Sequence, residues 1–306
     1  MQQATLTLPL FARLANATWA ASQRYWRFVV VAMLALLHIA VFRGVTDPWA
    51  RGLLLAHLGL LLLWQPFLRG EQRVSVAQGL IIAALAAFLS QVALTESREL
   101  QVSIVAAWLR ACAVFLMAAH VASRTLREID DKALEQMLAL PLARPSQYLG
   151  RLAGLAACGV LLAAAFSAPL ALWAPASAAA LWGLSLACEL ALVAAAALFF
   201  SMTLVQPVPA IAATAGLYLL ARSIASLQAL AASGPLDDAS LAGQTARGAV
   251  DALAFLLPRL DQATRTDWLL YGAPPAAAYG MAIGGLLLYV VVLAAAGLFD
   301  FERKSL

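Results

Sequence analysis

Apolar residues recur in long blocks along the whole chain, separated by short polar and charged stretches. A helix needs about 20 mostly apolar residues to cross roughly 30 Å of hydrocarbon. Eight blocks approach that length: Trp26–Phe42, Arg51–Leu68, Val76–Leu94, Val102–Ala122, Leu152–Trp173, Ala178–Val205, Pro209–Ala231 and Ala276–Phe299. The pattern predicts an all-α polytopic membrane protein of about eight transmembrane helices. The first block is short, and His57 and Gln65 interrupt the second. As a re-entrant pair, these two would lower the count to six and leave both ends on one side. Before them, Leu8, Phe11, Leu14 and Trp19 predict an amphipathic interfacial helix within residues 1–25. That stretch is too polar for a cleavable secretory signal.

Composition agrees with the pattern. Of 306 residues, 63% are hydrophobic and 12% charged. A soluble domain carries roughly 25% charged residues, so a water-exposed surface, a disordered chain and a secreted disulfide scaffold are all disfavoured. The net charge of +4 is scattered between apolar blocks and is no nucleic-acid footprint. Those cations set orientation instead. With both ends inside, Arg13, Arg24, Arg27, Arg69, Arg73, Arg124, Arg127, Lys132, Arg144, Arg151, Arg303 and Lys304 face the cytoplasm. Only Arg43, Arg51, Arg98, Arg247, Arg259 and Arg265 lie outside, and the positive-inside bias selects this arrangement. The segment 233–273 is then extracytoplasmic. Alanine and leucine abound and arginine replaces lysine almost everywhere, which points to a bacterial gene of high GC content; a multi-pass chain with both ends cytoplasmic is then expected in the bacterial inner membrane. Cys112, Cys158 and Cys188 each sit inside an apolar block and read as small core residues.

Catalytic signatures are missing. The chain has no G-x-x-x-x-G-K-[ST], so it cannot cradle nucleotide phosphates with a P-loop. H-E-x-x-H and G-x-S-x-G are absent too. His38, His57 and His120 fall on separate spans, where structural or interfacial roles outweigh a shared metal site. No catalytic residue and no metal ligand is assigned.

The most informative polar stretch runs through 124–151, between two apolar blocks. Leu126, Ile129, Ala133, Leu134, Met137 and Leu140 recur at helical spacing, while Glu128, Asp131, Lys132 and Glu135 line the other face. Pro141 ends that helix, and Pro145 suits the start of the next. The product is a cytoplasmic amphipathic helix joined to two spans. It serves either as a solvated loop helix or as a docking surface that carries a partner's motion into the membrane.

The run from Glu128 through Leu134-Glu135-Gln136-Met137-Leu138-Ala139-Leu140-Pro141-Leu142-Ala143-Arg144 to Tyr148-Leu149-Gly150-Arg151 resembles the signature of ABC-2 type transporter permeases. The charged tail Phe299-Asp300-Phe301-Glu302-Arg303-Lys304 is similar to the one after their last span. Leu256-Leu257-Pro258-Arg259-Leu260-Asp261 looks like the permeases grouped with copper-enzyme maturation. Lys132-Ala133 replaces the family's Gly-Thr, and Arg151 its Lys. Three apolar blocks precede the one leading into the signature where the family usually has one, so 26–100 is an elaboration on a core at 101–306. The resemblance implies a transport subunit served by a separate ATP-binding subunit, with ATP and Mg held by that partner. It also implies pairing with a second permease copy or a related permease. Arg127, Glu128, Asp131, Lys132, Glu135, Leu138, Pro141 and Arg144 would form the coupling surface. A membrane sensor or assembly subunit could relay conformational change through the same helix.

Arg110, Glu189 and Arg222 fall within apolar blocks, and Glu189 is the only acid to do so. An unpaired charge at the bilayer centre costs about 2.5–3.5 kcal/mol or more. The three lie at similar depth, roughly 12–16 Å from the outer ends of their spans at about 1.5 Å per residue. Two roles fit: an ion pair that fixes span packing, or a polar pathway for a substrate. In the segment 233–273, Val250, Leu253, Leu256, Leu257 and Leu260 form an apolar stripe on a helix that Pro258 stops near Leu257. Asp237 or Ser240 is positioned to cap it. The segment is a static cap or an outer gate.

Overall fold

The computed structural model describes residues 98–132, 143–172, 174–233, 241–272 and 274–303. The predicted interfacial helix and the spans at 26–42, 51–68 and 76–94 therefore lie outside the described residues. Among the described residues every regular element is helical: α1 (Arg98–Asp130), α2 (Arg144–Ser167), a 3₁₀ turn (Ala168–Leu172), α3 (Ala176–Leu204), α4 (Pro207–Ser233), α5 (Leu241–Leu256), α6 (Leu260–Ala263), α7 (Asp267–Leu270) and α8 (Ala276–Arg303). Helices α1, α2, α3, α4 and α8 are long and apolar enough to cross a membrane. Each coincides with one of the five apolar blocks between Val102 and Phe299. Over the described residues the chain is an all-α, multi-pass membrane protein.

Helix α3 is the axis of the bundle and packs against α1, α2, α4 and α8. Its apolar window is 78% buried, against 22% for α4 and 11% for α8. Small side chains make this possible, because helices in lipid gain from close contact rather than from expelling water. Ala194, Ala195, Ala196 and Ala197 are all buried in the second half of α3. In the first half, a Cβ on Gly183 would stand 2.6 Å from the Ser167 hydroxyl of α2. Only glycine permits that approach. The uncovered faces of α4 and α8 carry Leu219, Leu220, Leu230, Leu288, Val291 and Val292, which is the composition of a lipid-facing surface.

Pro145 marks the start of a helix, as the sequence predicts. Pro145 occupies the first turn of α2, and Pro207 opens α4 after a two-residue reversal in which Val205 takes a left-handed φ of 53°. Tyr148 of α2, fully buried, sets its hydroxyl end against the bare backbone of Gly297 in α8, with Phe301 one turn on at 6.0 Å between ring centroids.

The stretch after the first described span departs from expectation. An uninterrupted helix through Leu140 is predicted there. Instead α1 continues unbroken from the membrane span and stops at Asp130. Asp131 and Lys132 form a turn, with Lys132 at φ 54°. The helix end carries partial negative charge, and consecutive Asp130 and Asp131 oppose further propagation there. Residues 133–142, with Glu135, Leu138 and Pro141, lie outside the described residues. The apolar face is also committed internally: Leu126 is buried and Ile129 packs on the bundle core.

The segment after α4 is helical as predicted, and α5 ends one residue before Leu257. Its stripe divides. Leu257 and Leu260 join a small core with Leu192, Ala221, Ile224 and Leu286, whereas Leu253 and Leu256 stay exposed. Asp237 and Ser240 lie outside the described residues.

Replacing Gly297 by Ala drives a methyl into the Tyr148 phenol, and overpacking of this kind costs about 1–3 kcal/mol. The expected result is a lowered unfolding midpoint for Gly297→Ala in detergent. Gly285→Ala, on the same helix with open space at its Cβ, leaves the midpoint unchanged or raises it slightly.

Candidate functional site

The three intramembrane charges come from three different helices and meet inside the bundle. Arg110 projects from α1, Glu189 from α3 and Arg222 from α4. Arg110 and Glu189 are 1% and 0% exposed, and the Arg110 Nη1 donates to Glu189 Oε2 at 2.5 Å. The same guanidinium donates from Nη2 to Ser185 Oγ at 3.0 Å. Its Cζ also lies 4.7 Å from the centroid of the Trp182 ring, a cation–π distance. Ser185 and Trp182 precede Glu189 by one and two helical turns, so one face of α3 provides carboxylate, hydroxyl and ring to a single arginine.

The second carboxylate oxygen looks toward α4. Tyr218 Oη donates to Glu189 Oε1 at 2.8 Å. Arg222, one turn beyond Tyr218, places Nη1 at 3.8 Å from the same oxygen and 3.4 Å from the Tyr218 hydroxyl. Arg222 Nη1 also donates to Thr264 Oγ1 at 2.8 Å, and that hydroxyl in turn donates to the Leu260 carbonyl at 2.7 Å. Both oxygens of Glu189 are thus engaged, while Arg110 Nε and Trp182 Nε1 are buried without an acceptor among the described residues. Thr264 reaches the cluster because the chain between α5 and α8 folds back onto the bundle. Leu260, Ala263, Trp268 and Leu269 are buried there, α6 packs on α4, and α7 packs on α1 and α3. Trp268 meets Tyr279 of α8 edge-on at 5.0 Å, and Tyr279 Oη donates to the Leu181 carbonyl at 2.8 Å.

Along their helix axes, Arg110, Glu189 and Arg222 are roughly 18, 20 and 16 Å from the helix ends on this side. Charges at that depth need partners, and breaking a buried pair by removing one member costs about 3–5 kcal/mol. The two arginines differ in this respect. Arg110 is enclosed, whereas Arg222 is 34% exposed.

A second charged constellation occupies the opposite end. Glu128, expected as an exposed docking acid, is instead half-buried between two arginines. Arg124 Nε donates to it at 2.9 Å from one turn earlier in α1, and Arg151 of α2 donates to its other oxygen. Arg151 is itself buried. Arg144 Nη1, at the start of α2, donates to the Glu302 carbonyl at the end of α8 at 2.8 Å. Thr203 near the end of α3 donates to Asp300 Oδ2 at 3.1 Å. Arg127, Asp131 and Lys132 are exposed. Of the predicted coupling residues, Glu128 and Arg144 thus fasten helices to one another, and three face outward.

Charge alone singled out Arg110, Glu189 and Arg222 in the sequence. It did not point to Trp182, Ser185, Tyr218 or Thr264. Helical spacing carries a signal for Ser185 and Tyr218, each four residues before a charge of the cluster. No local signal marks Thr264, which arrives through the folded-back segment. The histidines are not brought together for comparison, since His38 and His57 lie outside the described residues. Cys158 is buried, and Cys112 and Cys188 are partly buried, on separate helices.

Comparison with protein-family models, with curated proteins and with solved structures gives no match to this chain.

The different enclosure of the two arginines sets an expected order. In detergent, Arg110→Gln lowers unfolding free energy by about 3–5 kcal/mol, the range for a broken buried pair. Arg222→Gln lowers it by about 1 kcal/mol or less, since solvent screens a partly exposed pair. Urea or thermal unfolding of both variants checks the order, and equal losses would contradict it.

Proposed function

We propose that this chain is the membrane permease subunit of an ATP-driven exporter and works with a separate ATP-binding subunit. The observation that carries the reading is the fastening at the charged end of the bundle. Glu128 ties the end of α1 to α2 through Arg151, and Arg144 ties the start of α2 to the end of α8. Lys132 and Ala143, on either side of 133–142, adjoin these two ties. A push arriving at those two residues is therefore delivered to three spanning helices. Arg127, Asp131 and Lys132 stand exposed beside the ties and supply charge for a soluble partner.

The resemblance of 128–151 to ABC-2 type permeases supports the same reading, as does the lack of any P-loop in the chain. On this reading the charged end faces the cytoplasm of a bacterial inner-membrane protein, where the twelve-to-six cation bias places it. The folded-back segment 257–270 then covers the outer side, with Arg222–Thr264 as its latch to α4. Export through a pair of permeases, identical or related, follows from the resemblance.

The test is purification of the tagged chain from its native membrane, followed by reconstitution in liposomes. A P-loop ATPase should be recovered, and the complex should hydrolyse ATP. Glu128→Lys, which sets a third cation between Arg124 and Arg151, should still insert but reduce that hydrolysis by about fivefold or more. Loss of a buried ion pair of this kind corresponds to at least 1 kcal/mol of coupling. Absence of an ATPase, or unaltered hydrolysis in the variant, overturns the reading. An ATPase recovered without ATP turnover would favour a sensor or assembly subunit.

A further inference from the structure

We propose that α5, α6 and α7 form a re-entrant hairpin whose returning limb lines a water-filled recess in the membrane, while the end of α5 meets acyl chains. This rests on the membrane placement and not on the permease reading. Depth is the first observation. Helix α5 runs back along α4, where Gln228 Nε2 donates to Asp251 Oδ1 at 3.2 Å. Its 16 residues are enough to descend roughly 24 Å. At the bottom, Tyr289 Oη of α8 donates to the Phe255 carbonyl at 3.2 Å. Leu257 and Leu260 join the small core that holds Leu286, Ala221 and Leu192. Those three stand roughly 15, 18 and 24 Å from the ends of α8, α4 and α3 on this side. The three helices have 28, 27 and 29 residues, and so run roughly 40–44 Å. With an even overhang beyond roughly 30 Å of hydrocarbon, the turn at Pro258 lies about 10 Å inside it.

The two limbs expose opposite chemistry. Between Ala252 and Leu256 every exposed residue is apolar: Ala252, Leu253, Phe255 and Leu256. Between Leu257 and Leu270 every exposed residue is polar: Arg259, Gln262, Arg265 and Asp267. Acyl chains suit the first set and water the second.

The backbone supplies the third observation. Helical structure breaks between α5 and α6 and again between α6 and α7, at Arg259 and Arg265. Non-helical backbone at membrane depth persists only where protein covers it or water reaches it. Both breaks carry exposed arginines, so the described part of the chain leaves them open. Arg259 Nε donates to Asp261 Oδ1 at 3.3 Å, yet the Arg259 side chain remains 46% exposed. Intramembrane charges of this kind face a water-filled space rather than lipid tails. Arg259 and Arg265 are balanced by Asp261 and Asp267, so the limb attracts no ion by net charge, and water is the occupant that its chemistry fits.

The test reconstitutes the full chain in liposomes, in a Cys112→Ala, Cys158→Ala, Cys188→Ala background with one nitroxide-labelled cysteine at a time. The labels sit at Phe255→Cys, Gln262→Cys and Leu288→Cys, the last an exposed position roughly 18 Å along α8. Collision with a water-soluble nickel chelate reads contact with water, and collision with oxygen reads contact with hydrocarbon. Position 262 is expected to be about tenfold more accessible to nickel than position 288, because a hydrated solute is excluded from hydrocarbon. Positions 255 and 288 both favour oxygen. Amide hydrogen exchange on the unaltered chain in lipid nanodiscs covers the case of a variant that does not fold. There 259–267 should exchange at rates near those of an unfolded peptide, while 284–292 stay protected. Nickel access at 262 as low as at 288, or equal protection of the two segments, overturns the recess. Loss of both nickel and oxygen access at 262 assigns that face to a second copy of the chain and overturns it too. Nickel access at 255 equal to that at 262 places the hairpin outside the bilayer and overturns re-entry.

Discussion

A guanidinium–carboxylate pair in a dry helical bundle imposes a constraint that packing alone does not. Arg110 and Glu189 are almost wholly enclosed, and neither can leave the other without stranding a charge in a medium that solvates none. Because they belong to α1 and α3, the pair fixes the rotation and depth of one helix against the other. Trp182 and Ser185 on the same face of α3 then close around the arginine. Tyr218 extends the bonding to α4, and Thr264 extends it to the folded-back segment. Around it the helix contacts are mostly apolar and small, and the ionic cluster adds register to them.

The bundle thus has two kinds of order. Its axis, α3, uses alanine and glycine to bring backbones close, and its periphery, α4 and α8, presents leucine and valine outward. At one end, Glu128 with Arg124 and Arg151, and Arg144 with the Glu302 carbonyl, bind three helices where the chain leaves and re-enters. Deeper in, the charge cluster binds α1, α3 and α4. A displacement applied at the fastened end has a continuous route through α1 and α2 to the packed face of α3. That physical continuity, more than any single motif, is what makes a coupled membrane subunit a reasonable reading of this fold.

Hydropathy made the five described spans legible, because a bilayer demands long apolar runs and little else satisfies that demand. The charged residues of the cluster were legible for the same reason: three charges in apolar blocks stand out and require partners. What sequence left hidden depended on distant approach. Glu128 looked like an exposed docking acid because its partner Arg151 lies 23 residues away and reaches it only after the chain reverses. The helix across 124–140 looked continuous because its apolar spacing persists, although Lys132 adopts a left-handed conformation and stops it. Thr264 was hidden because 233–273 read only as a static cap or an outer gate, and its position depends on how 257–270 packs against α1, α3 and α4. The apolar stripe on α5 divided for a similar reason, since spacing defines a face but not what covers it.

The claim on which the rest depends is that Arg110 and Glu189 are one energetic unit. A double-mutant cycle with Arg110→Ala, Glu189→Ala and the double variant measures this directly by reversible unfolding in detergent. The account predicts that the double variant is more stable than the sum of the single losses allows, with a coupling of about 3 kcal/mol, because each single change strands a buried charge. Additive losses, with coupling near zero, would contradict it.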